Sequence, residues 1–489
     1  MNLIRQADTR PDRTAIRLDD VVLSYAQLED ATRKVAGLLA ERGVQPGDRV
    51  AVMLPNVPQF AVLYYGILRM GGVVVPMNPL LKDREIAYYL GNSGAKLIFT
   101  AEGCRAEAEA GAKQADAEVV VVQAAGFAAL LAAVTPVQGV TERAGTETAV
   151  ILYTSGTTGQ PKGAELTHAN LARNAEVCVD ELFGLTAEDM VFGGLPLFHV
   201  FGQTCGLNAV IAAGATLTLL PRFDAAKALE ILVRDRATIF EAVPTMYMAL
   251  LNHPGLAEHD LSALRICVSG GSAMPIEVMT AFEQATGATV LEGYGLSETS
   301  PAASFNLPSH RRAGSIGTPI SGVEFRLVDE QGADVGPGEI GEIAVLGHNV
   351  MRGYWGKPEE TAKAVRDGWF HTGDLARRDD DGFYFIVDRK KDMIIRGGYN
   401  VYPREIEEVL YGHPAVAEAA VIGVPHAELG EEIAAAVTLK PGAVATPDEL
   451  REHAKSNVAA YKYPRLVHVL ESLPKTATGK ILKREIKLG

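Results

Sequence analysis

Short apolar runs alternate with amphipathic stretches over most of the first three hundred residues, and this alternation restricts the fold more than any other feature of the chain. Residues 21–45 read as a short strand followed by a helix. Ser24 is placed as its N-cap, Leu28, Val35 and Leu39 share one face, and Gly43 ends it. RVAVMLPN then reads as a buried strand and QFAVLYYGILRMGG as a helix stopped by glycines, with VVVPMNP and KLIFT as further strands. The pattern returns around TAVILYT, ATLTLLP, ATIFEAV, LRICVSGG and ATVLEGYG. Alternation of this kind predicts an α/β fold of layered subdomains built on parallel sheet.

The character changes after about residue 315. VEFRLVDEQGADVGPGEIGEIAVLG has short strands separated by DEQG and GPGE turns, the mark of an antiparallel, β-rich subdomain. From Asp388 a charged segment leads into a helix and then a small α+β pattern. The charge divides at the same place. The whole chain carries −14, but the segment from Arg389 onward carries +2 and the remainder −16. A domain boundary is therefore expected near 388–392, leaving a large N-terminal body and a small C-terminal domain.

At 489 residues, 47% hydrophobic and 22% charged, the chain has enough apolar material for a globular enzyme of two to four domains. Its acidity argues against nucleic acid as a partner, because neutralising phosphates takes a basic surface. Cys104, Cys178, Cys205 and Cys267 form no CxxC pair, which speaks against a disulfide framework or zinc knuckle and for a reducing cytoplasm. The N-terminus shows no apolar signal-peptide region. Met190–Pro221 contains no Asp, Glu, Lys or Arg and is long enough to span a bilayer. It also holds Gly193, Gly194, Pro196, His199, Gly202, Gln203, Gly206, Asn208 and Gly214, so a buried, pocket-lining segment is expected rather than an integral membrane span.

The strongest local signal is TAVILYTSGTTGQPKG. A buried strand runs into a loop in which Thr154, Ser155, Thr157 and Thr158 supply hydroxyls, Gly156 and its fellow glycines let backbone N–H groups converge, and Lys162 adds a positive charge. A triphosphate tail requires this combination, and the Walker pattern GxxxxGK[ST] is absent.

YTSGTTGQPKG resembles the phosphate loop of the adenylate-forming acyl-CoA synthetase family. Five further stretches match that family in order: GGSAM at 270–274, EGYGLSET at 292–299, GWFHTGDLA at 368–376, DRKKDMIIRGGYNVYPREIE at 388–407 and PKTATGKILKRE at 474–485. The resemblance implies ATP, Mg²⁺ and coenzyme A as cofactors. It places Gly271 and Ser272 behind the adenine, Tyr294 against its face, and Glu292, Gly293, Gly295 and Ser297 in the same nucleotide motif. Glu298 is implied as the Mg²⁺ carboxylate, with Thr154 as a second metal contact. Asp374 and Arg389 would hold the ribose. Lys480 would be the adenylation lysine, stabilising charge on the α-phosphate. Residues 389–391, and Lys391 above all, would form the hinge about which a mobile domain 392–489 turns relative to 1–388. Gly397 and Gly398 would let the pantetheine arm of CoA approach.

His199 corresponds to the family's residue near the substrate carboxylate. Amino-acid-activating relatives carry an Asp there, and malonate-activating relatives an Arg where this chain has Gly293, so a second polar group on the substrate has no evident partner. The neighbourhood expected for the acyl chain is small and apolar: Val200, Phe201, Gly202, Cys205, Gly206, Ala209, Val243, Pro244, Met246, Ala302 and Ala303. The resulting expectation is a ligase joining a medium- or long-chain fatty acid to CoA. The alternatives are an aryl-acid (cinnamate-like) CoA ligase, an acyl-AMP ligase loading a carrier protein, or a noncatalytic sensor. A homodimer stays open.

Overall fold

The computed structural model describes residues 2–154, 160–476 and 479–488. Ser24 caps the helix Tyr25–Glu41 through a reciprocal capping box with Gln27, and Gly43 leaves it at φ 74°. The apolar runs become parallel strands in two sheets. One has seven strands, with Arg49–Met53, Val73–Pro76, Leu97–Ala101, Glu118–Val122 and Thr148–Thr154 parallel to one another. The other has nine strands and a parallel centre made of Met190–Gly193, Thr216–Leu219, Ile239–Ala242, Ile266–Ser269 and Thr289–Gly295. Helices cover both, as βαβ crossovers demand.

The β-rich subdomain is antiparallel as expected: Val323–Val328, Ile340–Gly347, Trp369–Arg378 and Tyr384–Arg389 pair in sequence. The last sheet joins Ile394–Arg396, Tyr399–Val401, Val416–His426, Gly430–Leu439 and Leu466–Val469. Its core, from Ile394 to Ala454, shares no residue with the main core, which runs from Leu3 to Tyr384.

The charge-free run is not a single apolar helix. It folds as the strand Met190–Gly193, a wide i→i+5 helix Phe201–Asn208, the short helix Ala209–Ala213 and the strand Thr216–Leu219, nearly all buried. Among the described residues, no helix is long and apolar enough to cross a membrane.

The helices Tyr25–Glu41 and Pro58–Arg69 pack tightly enough that a Cβ on Gly66 would meet Val35 Cγ1 at 2.3 Å. Between them lies a buried ion pair of Glu29 and Arg69. Arg69 Nη1 also donates to Gly139 O at 2.9 Å and Nε to Thr32 Oγ1 at 3.2 Å. A buried carboxylate stripped of its partner is costly, whereas an apolar pair of similar volume is not. Arg33 Nε also reaches Glu29 Oε1 at 2.9 Å and remains when Arg69 is removed, so Arg69→Met is expected to destabilise the body by about 1.5–3 kcal/mol in urea unfolding, and Glu29→Met combined with Arg69→Leu to recover most of that loss. Equal losses in the single and double variants would contradict the assignment.

Candidate active site

The C-terminal ends of the central strands in both large sheets, the β-rich subdomain and the loop carrying Lys480 converge on one cavity of about 950 Å³. Ligand crevices of open α/β sheets lie at such strand ends. Of the residues expected to act, Thr154, Lys162, His199, Gly271, Gly293 and Tyr294 line it. So do Gly295, Ser297, Glu298, Asp374, Arg389, Lys391 and Lys480. Ser155, Gly156, Thr157 and Thr158 lie outside the described residues.

Four expected residues are elsewhere. Ser272 is half-buried beside the cavity without lining it. Glu292 is buried beneath it, and its Oε1 accepts from Met274 N at 3.1 Å. Glu292 thus braces the 270–274 loop and does not itself line the cavity. Gly397 and Gly398 turn the exposed hairpin between Ile394–Arg396 and Tyr399–Val401, with φ of 56° and 83°. They do not line the cavity in this arrangement.

At one end of the cavity, Glu298 Oε1 accepts from Tyr354 OH at 3.0 Å and from Thr154 Oγ1 at 3.3 Å. Burial raises its carboxyl above the ordinary range, and a backbone hydrogen bond, then these hydroxyls, only partly oppose that. A buried carboxylate whose hydrogen-bond partners are all neutral, next to open space, fits a hard cation taking oxygen ligands. Among the described residues no cluster of three or more His, Cys, Asp or Glu side chains could hold a metal by itself. Mg²⁺ bound through one carboxylate plus substrate phosphates is the arrangement that needs no such cluster.

Lys162 opens the strand Lys162–Thr167, forms an ion pair with Glu360, and lies 5.1 Å from the centre of the Tyr354 ring. Hydrogen bonds from Lys162 and then Lys363 push the Glu360 carboxyl down to about 2. Neither Glu360 nor Tyr354 was found from the sequence. They sit in no motif, and the Lys162–Glu360 contact joins positions 198 residues apart.

A second polar group forms around Asp374, which is buried in the strand Trp369–Arg378. Its Oδ2 accepts from Tyr294 OH at 2.6 Å, and Arg389 Nε stands 3.2 Å from Oδ1. The phenol expected only to stack thus also orients the carboxylate. Each Asp374 oxygen retains a lone pair for a further donor.

Lys480 enters from the C-terminal half. Its N–H donates to Thr476 Oγ1 at 3.1 Å, and Thr476 N to Lys480 O at 2.8 Å. Gly479 is at φ 79°, and a Cβ there would come within 2.5 Å of Thr245 Oγ1, so this loop fits against the body only through glycine. Burial, assisted by Arg389, pushes the Lys480 ammonium down to about 8, while Asp374 pulls the other way. Burial, and secondly Lys480, pushes His199 down to about 4, leaving a neutral imidazole. Its Nδ1 accepts from Phe201 N at 3.3 Å.

The deeper wall is apolar. Val200, Phe201, Cys205, Val243 and Ala302 line it as expected. Gly202, Gly206, Ala209, Pro244, Met246 and Ala303 do not, while Leu182, Phe183, Val268 and Phe305 do. Strand pairing across the sheet, invisible in local sequence, decides which apolar residues face inward.

The AMP-binding enzyme family model matches residues 3–355, and the AMP-binding enzyme C-terminal domain model matches 405–480. A long-chain-fatty-acid–CoA ligase of Bacillus subtilis (strain 168) is 40% identical, over 97% of this chain and 91% of that one. A feruloyl-CoA synthase of Amycolatopsis sp is 38% identical, over 99% and 97%. The crystal structure of an anthranilate CoA ligase in complex with anthranoyl-AMP superposes with a TM-score of 0.94 at 31% identity, covering 99% of this chain and 95% of that one. ATP-bound MatB from Rhodopseudomonas palustris gives 0.93 at 35% identity, over 99% and 97%. With both halves of the family matched and the cavity they enclose in place, the chain belongs to the AMP-binding enzyme family of the adenylate-forming superfamily and is an AMP-forming acid–thiol ligase.

Proposed function

We propose that the enzyme converts a medium- or long-chain fatty acid to its acyl-CoA thioester in two steps. In the first, a carboxylate oxygen attacks the α-phosphorus of ATP and the bond to pyrophosphate breaks, leaving acyl-AMP. In the second, the thiol sulfur of CoA attacks the acyl carbonyl carbon, the thiol proton passes to solvent and AMP leaves. The observation that carries this reading is the convergence of Lys480, Asp374 and Glu298 on a single cavity whose inner wall is apolar.

In this reading Lys162 and the loop after Thr154 grip the β- and γ-phosphates, and Asp374 with Arg389 holds the ribose. Tyr294 lies against the adenine, beside Gly271, Gly293 and Gly295. Glu298 and Thr154 would hold Mg²⁺, which supplies charge neutralisation on the phosphates. Lys480 steadies the charge growing between carboxylate and α-phosphate, in a partly desolvated site where a fixed charge counts for more than in water. Neutral His199 closes the acyl side without adding charge.

Lys391 lies between the two hydrophobic cores, and we place the hinge there, between 1–388 and 392–489. Turning about it would exchange the Lys480 loop for the Gly397–Gly398 hairpin, whose bare backbone suits a narrow pantetheine arm. The Bacillus relative at 40% identity and the apolar wall support a fatty acid. The feruloyl-CoA synthase at 38% supports an aryl acid as the second reading.

A panel of acids from acetate to octadecanoate, together with cinnamates, assayed by pyrophosphate–ATP exchange and CoA-dependent AMP release, should give its highest kcat/KM with eight or more carbons. A maximum at acetate would contradict the substrate assignment. Lys480→Ala should lower adenylate formation by about 10²–10³-fold, while conversion of preformed acyl-AMP to thioester stays within a few fold. Equal losses in both steps would contradict the role of this lysine. Because the ammonium is the active form, kcat/KM for adenylation should fall as pH rises through about 8, and Lys480→Arg should carry that limb to higher pH. An unmoved limb would assign the titration to another group.

A further inference from the structure

Glu241 is the one acidic residue in the strand Ile239–Ala242, at the centre of the nine-stranded sheet. Only 2% of it is exposed, and its Oε1 has no hydrogen-bond partner. An unpaired buried carboxyl is expensive, and nothing in the packing of this strand requires one. Its position relative to the cavity follows from the strand geometry. Glu241 pairs across the sheet with Val268, so the two share a face, and Val243 follows on that same face two residues along. Val268 and Val243 both line the cavity. At roughly 3.3 Å per residue, Glu241 lies about 6–7 Å deeper than Val243, toward the N-terminal end of the strands.

The surroundings are arranged for a polar end group. A Cβ on Gly206 would come within 3.3 Å of Glu241 Oε2, so glycine at that position leaves the carboxyl room. Gly206 belongs to the wide helix Phe201–Asn208, whose Cys205 lines the cavity. Gln203 Oε1 and Thr204 Oγ1 on that helix are likewise buried without partners. Wide helical turns of this type occur mostly where a functional site displaces regular packing. Burial pushes the Glu241 carboxyl up to about 8, so at neutral pH it is mainly a protonated acid that both donates and accepts.

We propose that Glu241 is a specificity-determining residue at the inner end of the acyl cavity, selecting acids that carry a hydroxyl remote from the carboxylate. A hydroxyl matches a neutral carboxyl on both counts, accepting from its O–H and donating to its free oxygen. This rests on the acyl-CoA ligase reading above and supplies the partner for a second polar substrate group that the sequence did not reveal. The hydroxyl is borne either at the ω-end of an alkyl chain or as a para-phenol on an aryl acid, and the test separates the two.

The experiment measures kcat/KM by CoA-dependent AMP release for two matched pairs: dodecanoate with ω-hydroxydodecanoate, and cinnamate with para-hydroxycinnamate. The wild-type enzyme should favour the hydroxylated member of one pair by at least about tenfold, because a site built to bond a hydroxyl rejects the analogue that lacks it. The responding pair identifies the scaffold. Glu241→Leu should abolish or invert that preference while retaining turnover of the unsubstituted acid, and Glu241→Gln, of the same shape, should keep part of it. Thermal melts of the three proteins supply the second readout. Removing an unpaired buried carboxyl should leave the Glu241→Leu midpoint unchanged or raised, whereas a purely structural role predicts a fall. The same hydroxyl preference in wild type and Glu241→Leu would overturn the proposal, as would a wild-type enzyme indifferent to the hydroxyl in both pairs. If none of the four acids is consumed, the acyl-CoA ligase reading fails first and this inference with it.

Discussion

An AMP-forming ligase has to hold a polyanion, and here it must do so inside a body whose own formal charge is −16. The rest of the site answers this conflict. On the body side, Lys162 already has its charge matched by Glu360, and Glu298 adds a buried negative group beside it. The body therefore offers the phosphates a shaped cradle with little net positive charge of its own. The missing charge comes from the segment beginning at Arg389, which carries +2 and contributes Arg389, Lys391 and Lys480 to the cavity wall. These cations lie close enough together, and far enough from water, that the Lys480 ammonium is held well below its ordinary value. An ammonium strained by its neighbours gains more than a solvated one when an anion arrives, which concentrates its effect where charge develops.

Delivering that charge depends on how the C-terminal half seats against the body. Among the described residues, several of the contacts are polar. Arg404 Nη1 donates to Ile386 O at 2.9 Å, Arg404 N donates to Asp388 Oδ2 at 2.9 Å, and Lys390 N donates to Gly373 O at 2.9 Å. Gly479 lies against Thr245 where a side chain would not fit. The two hydrophobic cores share no residue, so no apolar layer fixes one half to the other. Seating of this kind positions a lysine without committing much free energy, and polar interdomain contacts of modest size favour relative motion.

The sequence revealed those parts of the site that are written in contiguous residues. Thr154, Asp374 and Lys480 each sit in a contiguous motif, and all three line the cavity. The parallel strands were legible for the same reason, since periodicity is a local property. What stayed hidden was pairwise and long-range. Glu360 reaches Lys162 across 198 residues, and its neighbours in the chain give no hint of it. Glu241 reads as one charged residue in an apolar strand, and only cross-strand register with Val268 turns it toward the cavity side. Glu292 shows the converse. It stands inside a recognised motif but does not line the cavity, and its Oε1 accepts from Met274 N in the adjacent loop.

We propose that the C-terminal half serves the two steps in different seatings, turning about Lys391. Rapid-quench kinetics of the separate half-reactions in Lys391→Pro test this most directly, with acyl-AMP formation followed without CoA and thioester formation started from preformed acyl-AMP. Thioester formation should fall at least about thirtyfold further than adenylate formation, since a rigid hinge keeps the Lys480 seating and blocks the other. Equal losses in both half-reactions, or a loss confined to adenylation, would contradict it.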